Sequence, residues 1–166
     1  KLEKKNFISK KNNIMIVKKI RDLPKKINLL IISSTANGRY ITTKKILKYS
    51  KINNFLIEKN LEQSPAKLKS LYNLLKTNKN VWINHNRREN ASWNNFKNKF
   101  FKTQNINLIC SGTKWNLLCN TMHFVDIMNW FNNGSIHEFK IKKEGWYNTT
   151  RKNFSDIYGR IDAKFQ

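Results

Sequence analysis

The chain has 166 residues, enough for one ordinary domain or two small ones, and 39% of them are hydrophobic, which argues against a disordered chain. No apolar run approaches the roughly 20 residues of a membrane-spanning helix, and no signal-peptide core follows the basic N-terminus. We therefore expect a cytoplasmic location and no membrane partner.

The formal net charge of +23 would by itself favour binding to nucleic acid. Only six of the 33 basic residues are arginine, however, and the lysines are scattered along the chain among many asparagines and isoleucines. Codons for these three residue types are rich in A and T, so a strongly AT-biased genome would give this mixture on any fold. We expect no specific nucleic-acid partner; a basic nucleic-acid-binding module, which would show a steep salt dependence, is kept as an alternative.

The first half of the chain alternates strand and helix patterns. Short apolar runs bounded by turn residues predict strands at 25–34, 54–58 and 80–84. Residues 38–50 are compatible with a helix, and a second helix is predicted to begin near Pro65. Strand, helix, strand, helix, strand at short spacing is typical of a parallel α/β sheet.

The second predicted helix is amphipathic. Ser64 can cap it, and four apolar side chains then follow at i, i+3, i+4 and i+7, namely Leu68, Leu71, Tyr72 and Leu75. We expect this stripe to pack on the sheet.

The second half has a different texture. A helix is predicted from about Ser92, a strand at 105–112, a helix at 120–131, and two strands at 135–142 and 157–165. This half is predicted to be α+β, with helices on one face of a mixed or antiparallel sheet. The expected domains are a partial Rossmann-like domain at 1–86 and a partial α+β domain at 87–166.

Polar residues follow each of the three predicted parallel strands. They are Thr35-Ala36-Asn37, Glu58-Lys59 and Asn84-His85-Asn86. Ligands of open parallel α/β sheets bind beyond the carboxyl ends of the strands, so these residues are candidates for the rim of an active site. The alternative is that Lys59 is one more solvated residue in a lysine-rich chain.

Several segments, in order and at similar spacing, resemble the glucose-fructose oxidoreductase / inositol dehydrogenase (Gfo/Idh/MocA) family. The family shows T-P-N-x-x-H, E-K-P and an Asn/His segment before R-R, which correspond here to TANGRY (35–40), EKN (58–60) and NHNRR (84–88). Residues 112–131 are similar to the family's N/D-x-x-H-x-x-D helix, and residues 145–161 to its S-K-R segment.

The resemblance implies NAD(P)-dependent oxidation of a sugar or cyclitol alcohol by hydride transfer. Lys59, near the nicotinamide and the reacting hydroxyl, and His123, as general acid/base, are the implied catalytic residues. The implied cofactor-binding residues are Thr35, Ala36, Asn37, Glu58 and Lys59. The implied substrate-binding residues are Asn86, Arg88, Asn120 and Asp126. A sugar-like substrate and a homo-oligomer of the full-length parent are the implied partners, and NAD or NADP is the implied cofactor.

The chain also departs from the family pattern. It contains no GxGxxG phosphate-binding loop, so we expect an internal fragment that does not bind NAD(P) tightly. Asn60 replaces the proline of E-K-P, and because a non-proline cis bond costs about 2.5–4 kcal/mol we expect a trans bond there. A non-catalytic sugar- or partner-binding remnant is therefore kept as an alternative. Cys110 and Cys119 are expected to be reduced thiols, and no metal site is predicted.

Overall fold

The structure, a computed structural model, describes residues 8–9, 14–100, 108–134, 136–151 and 153–165. The chain divides into two compact units, Lys1–Asn84 and His85–Gln166. Within the described ranges, no helix combines the length and the apolar character needed to cross a membrane.

The first unit contains the parallel sheet that the strand–helix alternation predicts. Its elements are β1 (Ile8–Ser9), β2 (Ile14–Met15), a 3₁₀ turn (Ile20–Asp22), β3 (Lys26–Ile32), α1 (Arg39–Leu47), β4 (Lys51–Glu58), α2 (Pro65–Leu75) and β5 (Val81–Asn84). Strands β1 and β2 pair with each other, and the parallel sheet has the order β3-β4-β5. The predicted α/β class is confirmed.

The core of the first unit lies between this sheet and its two helices. It is built by seven buried side chains: Ile32, Ile46, Ile52, Phe55, Ile57, Leu71 and Leu75. The predicted stripe of α2 is only half buried, because Leu68 is 40% exposed and Tyr72 is 66% exposed. Periodicity identified the apolar face of the helix correctly, but the sheet below it covers only part of that face.

The second unit is an α+β arrangement, as predicted. Its elements are a 3₁₀ turn (Asn86–Glu89), α3 (Ala91–Phe100), α4 (Leu117–Asn132), β6 (Ile136–Asn148) and β7 (Ser155–Phe165). Strands β6 and β7 pair antiparallel. Ile127, Met128 and Phe131 of α4 form a buried cluster against which Trp93 of α3 and Phe165 of β7 pack.

The strand predicted at 105–112 is wrong where it can be checked. Residues 105–107 lie outside the described residues, and residues 108–112 have no regular secondary structure. Ile109 is 89% exposed. Among the described residues β6 and β7 pair with each other and no third strand joins them, so an apolar run here lacks the hydrogen-bonding neighbour that a strand requires.

Candidate functional site

The three strand ends of the first unit lie along one side of the parallel sheet, which we call the carboxyl edge. Glu58, the last residue of β4, is in register with Asn84, the last residue of β5. The Asn84 side-chain amide donates a hydrogen bond to Glu58 Oε1. Thr35, Ala36 and Asn37 form the loop between β3 and α1. The sequence-predicted cofactor residues of this unit are therefore on the ends of neighbouring strands or in the loops that follow them.

A buried arginine joins these loops, and sequence reasoning did not find it. Arg39, the first residue of α1, is only 3% exposed. Its Nε donates to the carbonyl oxygen of Ser34 at 3.0 Å. Its two other guanidinium nitrogens donate to the carbonyls of Ser34, Glu58 and Asn60. One side chain thus holds the main chain after β3 and the main chain after β4.

Two carboxylates accompany this arginine. Burial lowers the pKa of Arg39, and the nearby carboxylates of Glu58 and Glu62 partly oppose that effect. Glu62 is itself buried, and its Oε1 accepts a hydrogen bond from the Tyr40 backbone N–H at 2.6 Å. Tyr40 lies in the first turn of α1, where N–H groups have no helical partner, so a carboxylate satisfies one of them and complements the helix dipole.

Lys59 lies in the turn that Arg39 holds. The carbonyls on either side of it, those of Glu58 and Asn60, both accept hydrogen bonds from the same guanidinium nitrogen. The peptide bond between Lys59 and Asn60 is cis, so the expectation of a trans bond was wrong. The expectation rested only on the replacement of proline by Asn60. The contacts of Arg39 with the carbonyls of Glu58 and Asn60 are not visible in the sequence.

The second unit positions its candidate residues on α4 and on the 3₁₀ turn that precedes α3. Asn116, which precedes α4, has a positive φ of 60° and makes no side-chain cap. The buried Asp156 of β7 supplies the cap instead: its Oδ1 accepts from the Leu118 N–H at 2.9 Å and its Oδ2 accepts from the Cys119 N–H at 3.4 Å. Asp156 was also missed from the sequence; it fixes the helix that carries Asn120 and His123.

Asn120 is held at both ends of its amide. Its Nδ2 donates to the Trp115 carbonyl, and its Oδ1 accepts from Arg87 Nη2 at 2.6 Å. The guanidinium of Arg87 also lies 5.1 Å from the centroid of the Phe124 ring, a cation–π distance. Asn120 and Arg87 therefore form a hydrogen-bonded pair near the start of α4.

His123 lies one turn further along α4 and is buried. Its ring packs edge-to-face against that of His85, with the centroids 5.8 Å apart and the planes at 85°. The sequence placed His85 only next to a strand end; the structure brings it to the candidate general base. Two imidazole rings are therefore neighbours in the second unit.

The remaining predicted substrate residues are close to this helix. The Arg88 guanidinium lies 3.6 Å from the Asp126 carboxylate, and Asn86 is exposed in the 3₁₀ turn. Within the described residues, no group of three or more His, Cys, Asp or Glu side chains is arranged to hold a metal ion.

The described residues of the first unit do not fit the pyrophosphate of a dinucleotide. An anion bound at a helix N-terminus needs accessible N–H groups and, in this fold, a glycine-rich loop. Here Glu62 already accepts the Tyr40 N–H at the start of α1, and the sequence contains no GxGxxG. The residues present therefore lack a phosphate cradle.

Comparison with known proteins supports the fold. No known protein-family model matches the chain, and no curated protein matches it. Similar solved structures include myo-inositol dehydrogenase from Lactobacillus casei in complex with NAD(H) and myo-inositol (TM-score 0.58, 15% identity, 84% of this chain and 45% of that one). An oxidoreductase from Sinorhizobium meliloti has a TM-score of 0.61 at 11% identity, over 89% of this chain and 43% of that one. Myo-inositol 2-dehydrogenase from Lactobacillus plantarum has a TM-score of 0.56 at 14% identity, over 75% and 42%.

These likenesses show a shared Rossmann-like α/β fold. The chain spans less than half the length of each of these structures. Two of these structures are myo-inositol dehydrogenases and the third is an oxidoreductase; at 11–15% identity the likeness concerns the fold.

Proposed function

We propose that this chain is part of a Gfo/Idh/MocA-type oxidoreductase that oxidises an alcohol group of a sugar or cyclitol with NAD or NADP. One observation carries the proposal: a Glu-Lys pair ends a central parallel strand at the carboxyl edge, in a fold shared with inositol dehydrogenases. On this proposal the first unit is a partial dinucleotide-binding domain and the second is a partial substrate-binding domain.

The chain's own residues would act on the substrate. Lys59 would donate a hydrogen bond to the reacting hydroxyl, and its main chain is held for that task by Arg39. His123 would take the hydroxyl proton, with His85 packed beside its ring. Asn86, Arg88, Asn120 and Asp126 would orient the other hydroxyls. The cofactor would supply the hydride acceptor, although the described residues lack a cradle for its phosphates.

Calorimetric titration of the chain with myo-inositol and a panel of sugars tests the substrate half of this proposal. We expect saturable binding of at least one polyol, lost in His123→Ala and kept in the matched control His137→Ala, which changes an exposed histidine of β6. Absence of binding to every polyol would contradict the proposal.

Titration with NADH and NADPH tests the cofactor half. We expect no tight binding by this chain, because Glu62 already accepts the Tyr40 N–H at the start of α1 and no glycine loop is present. Micromolar affinity for either nucleotide would contradict this expectation.

The missing glycine loop also favours a second candidate, a non-catalytic sugar-binding remnant of the same fold. Polyol binding without formation of NADH when NAD is supplied would favour this second function. Formation of NADH from a bound polyol would favour the first.

A further inference from the structure

The half-exposed stripe of α2 forms one wall of an open apolar groove. The groove has a volume of about 610 Å³ and lies between α2 and the edge strand β5. Its apolar lining comes from β4, from the segment before α2, from α2 and from β5: Ile57, Leu61, Pro65, Leu68, Leu71, Tyr72, Leu75, Val81 and Ile83. Leu61 lies in the loop after β4, next to the carboxyl edge, but none of these residues is one of the candidate cofactor or substrate residues named above.

The exposure of the groove is unusual for side chains of this size. Tyr72, Leu68 and Ile83 leave substantial apolar surface open to solvent, and they are neighbours in one concavity rather than scattered singly. Contiguous apolar surface of this kind marks sites where other molecules bind. A small ligand is a poorer candidate occupant, because small-molecule sites bury most of their ligand and this groove is an open trough.

The length of its helical wall sets how long a helix could pack along the groove. Its wall, α2, has 11 residues and is therefore about 16 Å long at about 1.5 Å per residue, which equals about three helical turns. An extended segment would instead add to the free edge of β5, but that strand has only four residues and offers a short ladder. Amphipathic helices bind such grooves through side chains at i, i+3, i+4 and i+7.

The charged side chains that line the groove indicate the charge of the partner that would bind there. Two lysines, Lys69 and Lys76, line the groove and are seven residues apart, so they lie on the same side of α2 at a two-turn spacing. Helix α2 contains no acidic residue. A second copy of the chain is disfavoured as occupant because each copy carries a formal net charge of +23.

We propose that this groove is the docking site for an amphipathic helix of a partner protein, with an apolar stripe that fills the trough and acidic residues that face Lys69 and Lys76. The apolar contacts would supply the affinity, and the lysines would select helices with acidic flanks and fix their register.

The test uses the full chain and a synthetic helical peptide of about four turns. The peptide has leucines at i, i+3, i+4 and i+7 spacing and glutamates at the flanking positions; a second peptide has lysines in place of the glutamates. Binding is measured by fluorescence anisotropy. We expect the wild-type chain to bind the glutamate peptide and to show no measurable binding of the lysine peptide.

Two variants test the groove itself. Tyr72→Asp places a charge in the trough at an exposed position, so folding is preserved and the affinity for the glutamate peptide should fall by at least about tenfold. Lys69→Glu/Lys76→Glu replaces two attractive ion pairs with repulsive ones, so it should weaken binding of the glutamate peptide by about tenfold and should restore binding of the lysine peptide. Lys18→Glu/Lys51→Glu makes the same change in net charge at exposed positions outside the groove lining and should leave both affinities unchanged.

Several outcomes would overturn the proposal. If both double-glutamate variants lost the same affinity for the glutamate peptide, the binding would reflect general attraction between an acidic peptide and a basic chain. Concentration-dependent dimerisation abolished by Tyr72→Asp would assign the groove to a second copy. Tight binding of a fatty acid that displaces the glutamate peptide would assign it to a small ligand, and failure of the peptide to bind would exclude a helix.

Discussion

Replacing Arg39 by methionine removes the guanidinium that joins the loops of the carboxyl edge while keeping a side chain of similar length. Three main-chain carbonyls, those of Ser34, Glu58 and Asn60, lose a cationic donor. Hydrogen bonds to charged groups contribute about 1.5–3 kcal/mol each. Because Ser34 is exposed and can regain water, the other two carbonyls dominate, and we expect a total loss of about 3–6 kcal/mol in the free energy of unfolding of the first unit.

A loss of this size is a large part of the roughly 5–15 kcal/mol that stabilises an ordinary domain. Hydrogen exchange of the β4 and β5 amides measures it in the first unit alone, whereas whole-chain tryptophan fluorescence would mix the two units. Arg39→Lys keeps the charge but loses the planar fork, so it should restore only part of the loss.

The matched control for this experiment is Arg21→Met. Arg21 lies on the surface and its guanidinium is 3.9 Å from the Asp22 carboxylate; removing such an exposed pair should change stability by less than about 1 kcal/mol. If Arg39→Met accelerated exchange no more than Arg21→Met, Arg39 would not be holding the turn that contains Lys59.

Further changes test other parts of the structure. Asp156→Ala removes the cap of α4 and should cost about 1–3 kcal/mol, seen as faster exchange of the Leu118 amide; an unchanged rate would refute the capping role. Burial raises the pKa of Cys110, and the nearby Arg87 guanidinium opposes part of that rise. Arg87→Gln removes this opposing positive charge. The pKa of Cys110 should therefore rise further and its alkylation by iodoacetamide at neutral pH should slow; faster alkylation would contradict this. Phe55→Ala removes a buried core ring and should cost about 3–5 kcal/mol in chemical denaturation of the first unit; a loss below about 1 kcal/mol would show that the site repacks freely.

Patterns among residues close together in the sequence predicted most of the architecture. The strands β3, β4 and β5 are visible in the sequence as short apolar runs bounded by turn residues, and the apolar stripe of α2 is visible because burial on one helix face imposes a period of 3.6 residues. The polar strand ends could be placed at one edge for the same local reason, since parallel strands all end on the same side. The run at 105–112 shows the limit of this reasoning: residues 108–112 have the apolar pattern but no strand beside them.

The tertiary structure decided how the candidate residues are held. Arg39 contacts Glu58 across 19 residues of sequence, and the Leu118 amide contacts Asp156 across 38. A periodic sequence pattern cannot predict such pairs. A buried polar group needs one partner in space, and that partner can come from any part of the chain. The same is true of the groove beside α2: the sequence determined which side of the helix is apolar, but only the position of the edge strand β5 determined how much of that side stays uncovered.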